Sequence, residues 1–263
     1  MDEGVSCYRT VVTLDDIDPP ETIHHLLDAL SHTHGVIAVA LGGSRACGDA
    51  DSASDWDLGV YYRGSLDLDV LARWGQVHPP GAWGRIMNGG AWLKLDGEKV
   101  DVLLRDLDVV EHWSERARAG VFEIDALLGY IAGIPTYSLL AEWSIARVLT
   151  GRLPGCGEYP PRLSEVAPDR WRFHRRFTIE HARSRAGRGD VVGAAGQVAK
   201  AIVEEAHARL CQQRRWVLNE KRIVERAGLG HGQALFAGLP RGGAEELRRW
   251  VEEVASFLDQ SPP

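Results

Sequence analysis

No stretch of the sequence strings together the roughly 18 apolar residues that a membrane-crossing helix needs, so no transmembrane segment is expected. The opening MDEGVSCYRT has neither the basic nor the apolar region of a secretory signal, and a cytoplasmic protein is expected. Cysteine is scarce. Cys7, Cys47, Cys156 and Cys211 are scattered without a C-x-x-C pair, which argues against a zinc knuckle and a disulfide framework and makes reduced thiols the expectation. There is no internal repeat at solenoid periods, and no low-complexity segment beyond the trailing QSPP. What is present is ordinary for a soluble chain: 263 residues, 44% hydrophobic and 25% charged, enough for one large domain or two ordinary ones.

The formal charge of −7 is unevenly spread. Residues 1–150 hold 11 Lys and Arg against 23 Asp and Glu, a net −12, while residues 151–263 hold 19 against 14, a net +5. An acidic part can hold metal ions and a basic part can meet phosphates or acidic surfaces, although surface drift gives the same imbalance. Between the two lies TGRLPGCGEYPPRLSEVAP, whose clustered Gly and Pro mark a linker. The boundary is placed there, with domains at 1–155 and 156–263.

The first part reads as mixed α/β. PPETIHHLLDALSHT carries Ile23, Leu26, Leu27 and Leu30 at helical spacing, whereas VIAVALGG and DWDLGVYYRG have the short apolar character of buried strands. SLDLDVLARWGQV fits a helix, GAWLKLDGEKVDVLLRD fits two strands around an Asp96-Gly97 hairpin turn, and DLDVVEHWSERARAG and TYSLLAEWSIARVL return to helical spacing. Past residue 165 the segments DRWRFHRRFTIEHARSRAGRGD, VVGAAGQVAKAIVEEAHARLCQQRR, NEKRIVERAGL and GAEELRRWVEEVASFLDQ are all helical in period and separated by glycines. The fold class is therefore an α+β domain with a mixed sheet, followed by an all-α bundle.

The chemistry concentrates in ALGGSRACGDADSASDWDLGVYYRG, where Asp49, Asp51, Asp55 and Asp57 fall within nine residues. In an extended strand Asp55 and Asp57 project to one face, while Trp56 and Leu58 point to the other. Two carboxylates held that close repel unless a cation sits between them. Magnesium suits such a pair, because it takes one or two carboxylates and completes its shell with substrate phosphates and water. Ahead of the pair, Gly42 and Gly43 allow backbone amides to approach a ligand closely, and Ser44 offers a hydroxyl. Asp101, set among Val100, Val102 and Leu103, is a third candidate carboxylate for a two-metal site; an edge-strand aspartate facing water has the same local pattern. Asp49 and Asp51 sit in a stretch of Gly, Ser and Asp that favours turns, and are read as loop formers.

Gly43-Ser44, ten intervening residues, Asp55-x-Asp57 and a later lone aspartate on a strand resemble the nucleotidyltransferase superfamily that includes DNA polymerase beta. The helical second half resembles, more loosely, the C-terminal domain of aminoglycoside and lincosamide nucleotidyltransferases. The resemblance implies an enzyme that takes a nucleoside triphosphate, ATP being the expected one, with two magnesium ions, and transfers the nucleoside monophosphate to a hydroxyl with release of pyrophosphate. It implies Asp55, Asp57 and Asp101 as catalytic metal ligands, with Asp101 or a C-terminal carboxylate as general base. Gly43, Ser44 and Arg45 would meet the phosphates. In the helical half Lys200 and Lys221 stand as further candidates for nucleotide binding, beside the bland reading of solvated lysines. Glu204 would bind an acceptor's amino groups or act as a base, unless it is an ordinary surface partner of Lys200 at i,i+4 spacing.

The acidic first half suits a cationic small-molecule acceptor, an aminoglycoside-like antibiotic, over nucleic acid. Trp83, Trp92 and Trp143 are expected in the core. Relatives that assemble across a dimer leave a homodimer open. Two other functions remain. One is a protein- or RNA-directed nucleotidyltransferase of the toxin–antitoxin type with a helical HEPN partner, whose arginine-to-histidine motif Arg176 and His181 match in spacing. The other is an inactive nucleotide-binding module, against which the three intact carboxylates count.

Overall fold

The computed structural model describes residues 19–48, 50, 54–241 and 243–260. The loop assignment of Asp49 and Asp51 lies outside them. The chain forms two compact units, Met1–Glu115 with Leu139–Glu158, and Arg116–Ser138 with Tyr159–Pro263. The segment 116–138 thus joins the second unit, although a division at residue 155 would leave it with the first.

In chain order the elements are α1 (Glu21–Ser31), β1 (Val36–Leu41), α2 (Gly43–Cys47), β2 (Trp56–Tyr62), α3 (Asp69–Ala72), β3 (Gln76–His78), α4 (Gly84–Met87), β4 (Gly89–Leu95), β5 (Glu98–Asp106) and α5 (Leu107–Arg118). A two-strand ladder of β6 (Ile124–Asp125) and β7 (Ile134–Pro135) follows, then α6 (Ser138–Ile145) and β8 (Arg147–Gly151). The remainder is helical: α7 (Pro161–Gly187), α8 (Val191–Gln212), α9 (Ile223–Arg226), α10 (His231–Ala237) and α11 (Ala244–Asp259). The α+β domain with a mixed sheet and the helical second half are both present. None of the described helices is long and apolar enough to cross a membrane.

The first unit is built on one six-stranded sheet in the order β3-β4-β5-β2-β1-β8. Its neighbours are antiparallel except β2 and β5, which run parallel. Alternation along the strands divides the sheet into two faces. On one, Leu58 and Val60 of β2 and Val100, Val102 and Leu104 of β5 join Val39 and Leu41 of β1 in a core that the apolar stripe of α1 covers with Ile23, Leu26, Leu27 and Leu30. The other face carries Asp57, Gly59 and Tyr61 on β2 beside Asp101, Leu103 and Arg105 on β5. Toward the end of these strands the second face is closed by α6, because the buried Arg105 guanidinium donates to both carboxylate oxygens of Glu142 at 2.7 and 3.0 Å. Burial, reinforced by the nearby Glu142, pushes the Tyr61 hydroxyl pKa well up. The aspartate end of the face stays half exposed.

Two expectations need correction. SLDLDVLARWGQV gives only the short α3 before β3, a three-residue edge strand that exists by pairing with β4. The helical reading of TYSLLAEWSIARVL stops at Ile145; the rest becomes β8, which pairs with β1 from Ala38 to Leu41. Cys156 and Cys211 are reduced thiols, as expected.

In the second unit α7 and α8 form a helical hairpin, with α11 packed on both. Asp190 caps α8 by accepting the Gly193 amide at 2.9 Å. The hairpin is fastened by Trp171, which donates from Nε1 to the Tyr137 hydroxyl at 2.9 Å and stacks on His207 with centroids 4.2 Å apart. Burial holds the His207 imidazole below its ordinary pKa, so it packs as a neutral ring.

Candidate active site

The parallel pairing of β2 with β5 sets Asp57 in direct register with Asp101. Adjacent strands lie about 4.8 Å apart and in-register residues share a face, so the two carboxylates stand side by side on the half-exposed face. The strand reading of each aspartate is visible in the sequence; their adjacency is a product of strand order. Asp55 precedes β2 by one residue, and its Oδ1 is 3.8 Å from the Lys99 ammonium. Lys99 was not singled out from sequence, although it lies two residues before Asp101 on the same face.

The Gly-Gly-Ser turn closes on this pair. The Gly42 amide donates to the Asp57 carbonyl at 2.8 Å, holding the turn against β2. Gly43 has φ +59°, and a Cβ there would fall 1.8 Å from Asp57 Oδ2. Glycine is therefore required both by its left-handed backbone and by the carboxylate that occupies its side-chain space. Ser44 follows immediately in the short α2. We expect Gly43→Ala to lower stability by about 1–2 kcal/mol through the backbone alone. By displacing Asp57 it should also lower turnover about tenfold to a hundredfold. A melting curve and a pyrophosphate-release assay on the same preparation check both; full turnover with a lowered melting temperature would separate the turn from the chemistry.

Arg45 supports the chain entering β2. Its NH2 donates to the Ser54 carbonyl at 2.7 Å and its Nε to the Asp55 carbonyl at 3.2 Å. The guanidinium also lies 4.4 Å over the Trp56 ring and 3.9 Å from Glu98. Its geometry is that of a brace for Asp55.

The remaining candidates belong to the second unit. Lys200 donates to Glu204 Oε1 at 2.9 Å, but the surface pair read from sequence is corrected: Glu204 is fully buried and its Oε2 has no hydrogen-bond partner among the described residues. Both line an open groove of about 320 Å³ with Phe173, His174, Phe177 and His181. Burial holds the His174 pKa down. Lys221 is exposed just before α9, in a turn where its amide donates to Asn219 Oδ1 at 2.9 Å. Arg176 and His181 share α7 but, five residues apart, point roughly 140° away from each other around the axis. The core expectation holds for Trp143, which is 6% exposed, and fails for Trp92, which is 58% exposed.

Among the described residues no group of three or more His, Cys, Asp or Glu is gathered as a ready metal site. The donor set is instead an in-register carboxylate pair with a third carboxylate adjoining. Hard oxygen donors in that number fit magnesium, which takes one or two carboxylates and fills its shell from phosphate and water, better than a structural metal that needs four protein ligands.

Residues 23–119, from within α1 through α5, match the family described as a nucleotidyltransferase domain. The match spans Gly43, Ser44, Asp55, Asp57 and Asp101. Residues 23–119 thus form a nucleotidyltransferase domain, which supports a nucleotidyl-transfer activity in general. No curated protein is similar enough to the chain to add a relative.

Proposed function

We propose that the protein transfers a nucleoside monophosphate from ATP, with magnesium, to a hydroxyl of a small cationic molecule of the aminoglycoside type. The carrying observation is the in-register Asp57–Asp101 pair with the Gly43 turn closed on the Asp57 carboxylate, inside a nucleotidyltransferase domain. Asp57 and Asp101, with Asp55 beside them, would hold the metal; when bound, magnesium polarises the phosphate and makes the acceptor hydroxyl more acidic. Asp101 accepts the hydroxyl proton. The hydroxyl oxygen forms its bond to the α-phosphorus as the bond to the bridging oxygen breaks, and pyrophosphate leaves with that electron pair. Ser44 donates its hydroxyl to the departing phosphates, and Gly43, lacking a side chain, lets the Asp57 carboxylate sit against the turn that holds them. The net −12 of residues 1–150 supports a cationic acceptor through its field.

Purified protein incubated with magnesium, labelled ATP and a panel of aminoglycosides, lincosamides and nucleosides should release pyrophosphate only when an acceptor is present. Chelation by EDTA should stop the release and added magnesium restore it. Absence of acceptor-dependent release across the panel would overturn the proposal, and labelling of protein or RNA in its place would move the reading to the toxin–antitoxin class.

A further inference from the structure

A single row crosses the sheet at the level of the two aspartates. The Gly42–Gly43 turn at the end of β1 abuts Asp57; Asp57 is in register with Asp101 on β5, Asp101 with Trp92 on β4, and Trp92 with Gln76 on β3. Residues directly opposite one another share a face, so the row runs from turn to carboxylate pair to indole on one surface. With strands about 4.8 Å apart, Trp92 lies one strand from Asp101 and about 10 Å from Asp57, on the side away from the turn.

This order has a chemical consequence, which rests on the reading of Asp57 and Asp101 as the transfer centre. Displacement at phosphorus places the attacking and leaving oxygens in line on opposite sides of the phosphorus atom. If the departing phosphates are held at the Gly43–Ser44 turn, the acceptor arrives over β4. What it meets there is Trp92, an indole left 58% exposed between the buried Ala91 and Leu93, with the exposed Lys94 next along the same face.

The indole is held in place. Trp83 stacks on it with ring centroids 4.8 Å apart and planes 27° apart. Trp83 in turn sits on Gly90, where a Cβ would come within 2.7 Å of its ring. His78 meets Trp92 edge-on at 4.9 Å and Trp83 at 5.0 Å, and its Nε2 is buried with no hydrogen-bond partner among the described residues. Three packed rings form a preorganised ledge, so a ligand ring that stacks there has little side-chain ordering to impose.

We propose that Trp92, backed by Trp83 and His78, is the stacking platform for the acceptor's ring, and that the ring is a saturated, hydroxyl-bearing one of the sugar or aminocyclitol class. Its C–H face lies on the indole, its ammonium substituents gain from the ring face, and one of its hydroxyls reaches the Asp101 carboxylate one strand away.

The test uses the full chain with kanamycin as the ring probe and adenosine as the planar one. Calorimetric titration of kanamycin into wild type, Trp92→Ala and Trp92→Phe, each with magnesium and a non-hydrolysable ATP analogue, reads binding directly. The expected result is about a tenfold or greater loss of kanamycin affinity in Trp92→Ala, with most of it retained in Trp92→Phe and the affinity for the ATP analogue unchanged in both. Equal kanamycin affinity in Trp92→Ala, no kanamycin binding to wild type, or a loss confined to the ATP analogue or to adenosine would each overturn the platform. Failure of the transfer reading registers elsewhere: pyrophosphate release would then be absent while kanamycin binding still depended on Trp92.

Discussion

Replacing Asp57 by Asn is expected to lower nucleotidyl transfer by about a thousandfold, the scale on which removal of a single charge-stabilising group at a reacting phosphate or carbonyl acts. The protein should remain folded. Asparagine keeps the planar shape that fills the space beside Gly43, and the Gly42 amide bonds to the Asp57 main chain, which the substitution leaves intact. What changes is charge: one of two in-register carboxylates is lost, and the remaining Asp101 no longer has a like charge alongside. Divalent-cation binding measured by calorimetry should weaken in parallel with turnover, and the melting temperature should stay near wild type. Asp101→Asn should show the same loss and, if Asp101 also takes the proton, remove the acidic limb of the pH profile. Asp55→Asn offers a control on stability, because the 3.8 Å contact with the exposed Lys99 is a surface pair contributing no more than about 1 kcal/mol. A fully active Asp57→Asn would remove the metal role from this site.

Local periodicity carried a large part of this arrangement. The alternation of Trp56, Asp57 and Leu58 foretold that the two apolar side chains enter the core and that Asp57 does not, and Asp96-Gly97 foretold the β4–β5 hairpin, whose turn has φ of 49° and 93°. The sequence could not show that β5 lies beside β2, since Asp57 and Asp101 are brought level by strand order and register, which nothing within either strand encodes. The same limit hid Trp92: alternation places it on the face opposite Leu93 and Leu95, but only the position of β4 beside β5 sets it next to Asp101. β3 and β8 were missed because each is short and its backbone is satisfied by a neighbour remote in sequence, a tertiary influence that local propensity does not register. In α8 the run of Glu204, Glu205, His207 and Arg209 has the composition of an exposed helix face, yet all four are buried. Their partners lie on α8 itself one turn away, on α7, just past the end of α11 and in the segment before α9, up to some fifty residues away in sequence.

Glu205 is where that burial should have its largest effect. It is 2% exposed, and its oxygens accept from Arg175 at 3.0 Å and from Arg209 Nε at 3.3 Å, with Arg172 Nε at 3.5 Å. Arg175 and Arg209 are themselves 7% and 4% exposed. Arg175 also reaches the C-terminal turn of α11, donating to the Leu258 carbonyl at 2.5 Å and to Asp259 at 2.6 Å. Glu205→Ala would leave two buried guanidinium groups short of their shared counter-charge, and a loss of about 3–5 kcal/mol is expected. Urea unfolding of wild type and variant measures it, read from the midpoint at constant m value. The size of the loss need not equal the worth of the interaction. Desolvating three charged groups is costly, so replacing the cluster together, as Glu205→Leu with Arg175→Met and Arg209→Leu, should restore much of the stability that the single substitution removes. If the triple variant is no better than Glu205→Ala, the hydrogen bonds from Arg175 to α11 outweigh the charge term, and the cluster is a tether for that helix more than a balanced set of ions.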